Sequence, residues 1–455
     1  MTDNETLLTK QAARESNARS YPRNLPHAIK EAKGVTVTDM DGTEYYDCLA
    51  GAGTLALGHN HPKVVEAMET VLAEDRPLHT LDITTPVKER FVDTLFGTLP
   101  DEFSDNARIQ FCSPAGTDAI EAAIKLVKTA TGNRSMLGFQ GGYHGMTNGA
   151  LSLMGNTDPK ADVAGLMPNV HHLPYPYEYR CPFGVGGDRC HKLASQYVEN
   201  TLDDPESGIT DPAGMVVELV QGEGGAIPAA DEWTREIRRM TRERDIPLIV
   251  DEIQTGLGRT GALYAFEHAD IVPDAITLSK AVGGSLPLSV VVYDDSLDEW
   301  EPGAHAGTFR GNQLAMAAGI ATIEHVVENN LHEHAERVGE RLRGHLESTA
   351  NAHDAVGDVR GRGLMLGVEM VDPSGEPDAC GHYPVHSDLA DAVRAACFER
   401  GLIVELGGRH SSVVRFLPPL IVSQNDVDEI GRIFDDAVEA AVESVRHGRS
   451  QEVLA

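Results

Sequence analysis

Between residues 213 and 251 the chain alternates two kinds of stretch that have few ways of folding together. "AGMVVELVQ" and "IPLIVDE" are short, almost wholly apolar runs that end in polar residues, and "DEWTREIRRMTRERD" between them mixes apolar and charged positions as a helix does. A short run that is apolar at nearly every position fits a strand buried on both faces. A helix between two such strands is the crossover of a parallel sheet. Strands that end abruptly in polar residues set those residues at their carboxyl ends, where open α/β sheets carry their sites. "TDAIEAAIKLVKTAT" adds a helix with apolar positions three and four apart.

The alternation begins near residue 60. From about 325 helical patterns return, then "RGRGLMLGVEM" and "GLIVELGG" read as strands, and a closing helix starts near 424. Upstream, "GVTVTDMDGTEYYDCLA" reads as a hairpin turning at Asp41-Gly42, and residues 1 to 20 as a polar arm or frayed helix. The 455 residues, 41% of them hydrophobic, suffice for a large core and two domains. The expected architecture is α/β. A large domain at 61–324 holds a mostly parallel central sheet, and a smaller α+β domain at 325–455 is completed by residues 1–60, which also carry the arm.

Charge narrows the partners. With 70 acidic residues against 38 basic ones, the formal net charge is −32. Such a surface repels itself at ordinary salt and disfavours nucleic acid and anionic membranes. Molar salt shortens the Debye length to roughly 3 Å and relieves the repulsion. The basic residues are ten lysines and 28 arginines. Lysine depletion beside excess acid suggests a high-salt cytoplasm. The six cysteines form no C-x-x-C, and Cys181 and Cys190 in "CPFGVGGDRC" could be a loop clip or a chance pair. Free thiols in a reducing compartment are the expectation. No apolar signal core opens the chain and no window approaches 18 apolar residues, so a cytoplasmic protein that spans no membrane is expected.

Lys280, in "AITLSKAVGGSLPLSV", is the only lysine beyond Lys192. A lysine among apolar residues loses solvation, its pKa falls, and the neutral amine can form a Schiff base. A surface lysine at a strand end is the plainer reading, but arginine would serve there. Asp251, directly after "PLIV", is costly to bury unless a cation meets it. The protonated ring nitrogen of pyridoxal phosphate is such a partner; a helix cap or a metal ligand is the alternative. In "FCSPAGTDAIEAAIKLV", small residues lead into a helix at Gly116 and Thr117, which suits a phosphate as well as simple capping. In "FQGGYHGMTNG", glycines surround Tyr143 and His144, an aromatic that could stack on a flat ring or sit in a core turn. Together these describe one cofactor, pyridoxal 5'-phosphate, with no residue assigned to a metal.

With "GGYHGMT", "ELVQGEGG", "DEIQTGLGRTG", "SKAVGG", "GTFRGNQLA", "VRGRGLM" and "VRFLPPL" in this order, the chain resembles the class III aminotransferases, pyridoxal-phosphate enzymes of fold type I, from about residue 20 to 440. The resemblance implies roles. Lys280 would hold the cofactor and move the proton, Asp251 would pair with the ring nitrogen, and Gln254 would contact the ring hydroxyl. Gly116 and Thr117 would hold the phosphate, with Tyr143 on the ring and His144 beside it. Thr308 would reach the cofactor phosphate of a neighbouring subunit, implying a homodimer, or a tetramer, with shared sites. Glu223 would lie near the ring and pair with Arg415, which would grip a substrate carboxylate.

Within the family, "SNARSYPRNLP", "CLAGAGTLALGHNHP", "RPLHTLDITTP" and "PYPYEYRCPFG" resemble the subgroup that moves the terminal amino group of L-2,4-diaminobutyrate to 2-oxoglutarate. That implies a reversible, ping-pong reaction giving aspartate 4-semialdehyde and glutamate. Two departures stand out. Where ornithine and 4-aminobutyrate enzymes carry an arginine in "HGRT", this chain has Met146; Arg23, with Tyr21 nearby, is the expected substitute. Arg310 replaces a common glycine and is expected at the site entrance. Rival expectations are another ω-aminotransferase, acting on ornithine, acetylornithine or 4-aminobutyrate, a dialkylglycine-type decarboxylase on the same scaffold, and a non-enzymatic paralogue.

Overall fold

The computed structural model describes residues 2–452. Its centre is a seven-stranded sheet. In chain order the strands are β1 (Ala107–Phe111), β2 (Ser135–Phe139), β3 (Val170–Leu173), β4 (Pro212–Val217), β5 (Leu248–Asp251), β6 (Ala275–Leu278) and β7 (Val290–Asp294). In space they lie β1-β7-β6-β5-β4-β2-β3. Only β7 runs against the others, pairing antiparallel with both β6 and β1. The physical reason is the short link from Leu278 to Val290, which holds a single turn of helix at Lys280–Gly283. A parallel return needs a crossover of roughly a dozen residues or more, usually a full helix.

Side chains alternate between two cores, as the period of a strand requires. Met136, Val216, Ile249, Ala275 and Val291 face one core with the helix Gly116–Thr131. Leu137, Met215, Val217, Leu248, Val250, Ile276 and Val292 face the other, with Trp233, Ile237 and Met240 of the helix Asp231–Glu243. Both faces are covered, which explains why the strand sequences are continuously apolar.

The chain ends meet in the remaining sheets. Ile29–Lys33, Thr36–Asp39 and Glu44–Asp47 form an antiparallel meander, and Leu402–Ile403 from near the other end adds as a fourth, parallel strand. The hairpin turns at Asp41-Gly42 as expected. A second four-stranded sheet runs Val356–Arg362, Met365–Met370, Val413–Phe416, Glu405–Gly407. "GLIVELGG" is therefore not one strand: the chain leaves the first sheet after Ile403 and enters the second at Glu405. The arm is a formed helix, Asp3–Arg14, with a Thr2–Glu5 capping box. Helix returns at Gln313–Glu328, earlier than expected. All six cysteines are free thiols. Among the described residues no helix is long and apolar enough to cross a membrane.

Candidate active site

The carboxyl ends of the parallel strands open into a cavity of about 780 Å³. Asp251 is the last residue of β5, and Thr277 of β6 stands opposite it in the ladder. Glu218 follows β4, the loop with Tyr143 and His144 follows β2, and Gly116 begins the helix after β1. Lys280 lies just beyond β6 with a left-handed backbone, φ 48°. Its turn is pressed from behind by the helix Gln313–Glu328, where a Cβ on Gly319 would meet the Val282 carbonyl oxygen at 2.2 Å. The glycine lets that helix close on the turn and aim the lysine inward.

Asp251 is buried and fully engaged. The His144 imidazole donates from Nδ1 to Asp251 Oδ2 at 2.7 Å. Oδ1 accepts the Ile253 N–H at 3.0 Å and the Thr277 hydroxyl at 3.3 Å. Burial pulls the His144 pKa down, yet the Asp251 carboxylate more than offsets this and leaves it raised. Behind them Glu218 accepts the Tyr143 N–H at 2.7 Å and the Gly222 N–H at 3.0 Å. Burial, with Asp251 nearby, pushes Glu218 up to about 7, against the pull of His144. Burial also lowers the Lys280 pKa, while Asp251 and Glu218 oppose it.

Gly116 sits so close to Ile253 that a Cβ would meet its Cδ1 at 2.9 Å. Thr117 Oγ1 lies 2.7 Å from Thr147 Oγ1, tying the loop of Tyr143 to the start of the helix. Gln254 donates to the Ala52 carbonyl at 2.9 Å, and its Oε1 is buried without a hydrogen-bond partner. Opposite, Arg415 Nη2 lies 2.6 Å from Glu223 Oε2 and 3.3 Å from Glu405 Oε2. Burial lowers the Arg415 pKa, but the two carboxylates outweigh it and raise it.

The cavity thus gathers Lys280, Asp251, Gly116, Thr117, Tyr143, His144, Glu223, Gln254, Tyr21 and Arg415 from the sequence expectations. Arg23 stays outside: its guanidinium binds the Asn17 side chain at 2.5 Å and the Asn17 carbonyl at 3.0 Å. Arg394, from the helix Ser387–Glu399, lines the cavity, with Nη2 on Asp391 at 2.7 Å and a buried Nε lacking a hydrogen-bond partner. Thr308 is exposed on the turn Thr308–Arg310 and lies outside the cavity of its own chain. Arg310 is not at an entrance. Its guanidinium is buried and meets Asp118 at 2.7 Å, at the base of the Gly116 helix.

Sequence reasoning missed Glu218, Glu405 and Arg394. The first two had a signal, a lone carboxylate inside an apolar run in "MVVELV" and "LIVEL". Arg394 in "LADAVRAACFER" had none, because a helix of this composition looks like any amphipathic helix.

The profile of the family described as "Aminotransferase class-III" matches residues 17–438. A Rhizobium meliloti protein named "Diaminobutyrate--2-oxoglutarate aminotransferase" is 58% identical over 428 residues, covering 94% of this chain and 91% of that protein. A Haemophilus influenzae protein of the same name is 48% identical, covering 98% of each. Among solved structures, an (S)-enantioselective omega-transaminase from Thermomicrobium roseum superposes with a TM-score of 0.85 at 26% identity, over 98% of this chain and 99% of that one.

Proposed function

This chain belongs to the class-III aminotransferases, and from that premise we propose that it moves the terminal amino group of L-2,4-diaminobutyrate to 2-oxoglutarate. The products are L-aspartate 4-semialdehyde and L-glutamate. The observation that carries the substrate reading is the 58% identity, across nearly the full chain, to a relative named for that reaction.

The residues present fit pyridoxal 5'-phosphate. An amine, a carboxylate fixed by His144, an aromatic, a helix start without room for a side chain at Gly116, and the unpartnered Gln254 Oε1 converge on one cavity. When bound, this cofactor supplies a carbon that condenses with amines and a ring that draws electrons from the reacting bond. Lys280 would hold it through the amine, and the donor amine would take its place. Once freed, Lys280 Nζ would take the proton from the donor γ-carbon and deliver it to the carbon on the far side of the C–N bond, so that the proton is conserved. Burial lowers its pKa, which favours the neutral amine that such a base requires. Asp251 keeps the ring nitrogen protonated, and His144 fixes the carboxylate in place. Gly116 and Thr117 would hold the phosphate, Tyr143 would cover the ring, and Gln254 would meet the ring hydroxyl.

Arg415 grips a carboxylate of 2-oxoglutarate after leaving Glu223, so one pocket serves both half-reactions. Arg394 supplies the second cation that Arg23 does not. Tyr21, on the cavity wall, contacts the donor. Thr308 reaches the cofactor phosphate of a second copy, in a homodimer; its exposure outside its own cavity supports this. The division into residues 1–60, 61–324 and 325–455 belongs to the same reading, supported by the sheet that joins the two chain ends. The six free thiols and acidic surface support a cytoplasmic location.

The test is a donor screen in molar potassium chloride with 2-oxoglutarate as acceptor and Lys280→Ala as control. Glutamate forming fastest from L-2,4-diaminobutyrate, and not in the variant, is the expected result. Faster formation from ornithine, acetylornithine or 4-aminobutyrate overturns the substrate reading.

A further inference from the structure

Glu405 and Arg415 are direct partners in the antiparallel ladder between Glu405–Gly407 and Val413–Phe416. Directly opposed residues project to the same face of a sheet, so both side chains enter the cavity together. Arg415 is nevertheless committed elsewhere. It makes its short contact, 2.6 Å, with Glu223 and stands 3.3 Å from Glu405. Glu405 Oε2 is buried without a hydrogen-bond partner. Two carboxylates therefore share one guanidinium, and Glu405, the partly buried one at the longer distance, lines the cavity. A largely desolvated carboxylate that only shares a cation, at 3.3 Å, is incompletely compensated, and an ammonium ion arriving in the cavity completes its pairing.

The two substrates of the proposed reaction differ in just this respect. Away from the amine that is transferred, diaminobutyrate carries a second ammonium, on the α-carbon. 2-Oxoglutarate carries none. We propose that the Glu405 carboxylate receives the α-ammonium of L-2,4-diaminobutyrate and so distinguishes donor from acceptor in a pocket that admits both. Tyr21 lines the cavity beside Glu405 and would help to hold the carboxylate in position. Arg415 stays with Glu223 while the donor is bound and is released to the acceptor. This inference rests on the diaminobutyrate reading above and adds the residue that enforces it.

A pair of donors isolates the contact. 4-Aminobutyrate is L-2,4-diaminobutyrate without its α-amino group. Wild type, Glu405→Gln and Glu405→Asp are compared as holoenzymes in molar potassium chloride. The readouts are kcat/KM for each donor, KM for 2-oxoglutarate and the absorption of the bound cofactor, which reports folding. Loss of a charge-assisted contact lowers kcat/KM for diaminobutyrate roughly 10- to 100-fold in Glu405→Gln. The value for 4-aminobutyrate holds, the KM for 2-oxoglutarate does not rise, and Glu405→Asp keeps part of the preference. Equal losses on both donors, or a parallel rise in the KM for 2-oxoglutarate, overturn the inference and make Glu405 a positioning residue for Arg415. Should 4-aminobutyrate turn over too slowly to measure, the 2-oxoglutarate KM decides alone. If the wild type makes no glutamate from diaminobutyrate, the function reading itself falls. If it does and the donor ratio is unchanged in Glu405→Gln, only this inference falls.

Discussion

His144 Nδ1 and Asp251 Oδ2 stand 2.7 Å apart, both buried, at the carboxyl end of the strand Leu248–Asp251. The pair ties a glycine-rich loop to the end of a strand and fixes the orientation of the carboxylate. Asp251→Asn keeps the shape and removes the charge. Its kcat is expected to fall about 10²- to 10³-fold, the usual cost of losing a preorganised electrostatic contact. Single-turnover rates with diaminobutyrate check this, and a loss under tenfold speaks against a role at the ring nitrogen.

Lys280→Ala should abolish turnover while the protein still binds pyridoxal 5'-phosphate non-covalently. Small primary amines added to the solution should restore a small fraction of the proton transfer if Lys280 is the base proposed above. Rates measured against amine concentration test this. A variant of full activity would remove the lysine from the mechanism.

Arg415→Ala leaves Glu223 and Glu405 facing each other without their cation. The expected result is a drop of about 10- to 100-fold in kcat/KM for 2-oxoglutarate, with a smaller drop for the donor half-reaction. Glu223→Gln weakens the resting pair and should lower the KM for 2-oxoglutarate. Separate measurement of the two half-reactions distinguishes these effects.

Glu252, next to Asp251 but facing the core, gives a test through stability. Burial pushes its pKa up to about 8 from an ordinary 4.5. Between those values the folded protein binds more protons than the unfolded chain, so stability falls as pH rises through that window. The slope from this one group is at most about 1.4 kcal/mol per pH unit. Glu252→Gln should match the wild type near pH 4.5 and exceed it above pH 8, as read by denaturant midpoints at constant molar salt. A variant that runs parallel to the wild type across the range disproves the shift.

The net charge of −32 predicts a further dependence. Self-repulsion is screened as the Debye length falls from roughly 10 Å at 0.1 M salt to roughly 3 Å at 1 M. The unfolding temperature should therefore rise steadily with potassium chloride over that interval. A flat or falling curve would remove the case for a high-salt protein.

Much of this was legible in the sequence, and the reasons are specific. "PLIVDE" reads as a strand covered on both faces with a carboxylate at its end, because the run is short, β-branched and opened by a proline. Lysine scarcity made Lys280 conspicuous, since a mere surface cation could have been arginine. Seven motifs in order fixed the family. The family resemblance also implied that Tyr143, His144, Gln254, Glu223 and Arg415 share one site, and all five line the cavity.

The sequence left other points open because they depend on where distant segments come to rest. Arg23 and Arg394 both lie in helices, Tyr21–Asn24 and Ser387–Glu399, and no motif around either marks it as a ligand. Only the packing turns one toward Asn17 and the other into the cavity. "GLIVELGG" carries one continuous strand pattern, but the chain changes sheets within it, and that change sets Glu405 across from Arg415. The sequence by itself determined the chemistry that this chain can hold, because residue types and strand ends are local properties. The tertiary structure alone decided which charges share the cavity, because ion pairing depends on separations of a few ångströms between residues far apart in the chain.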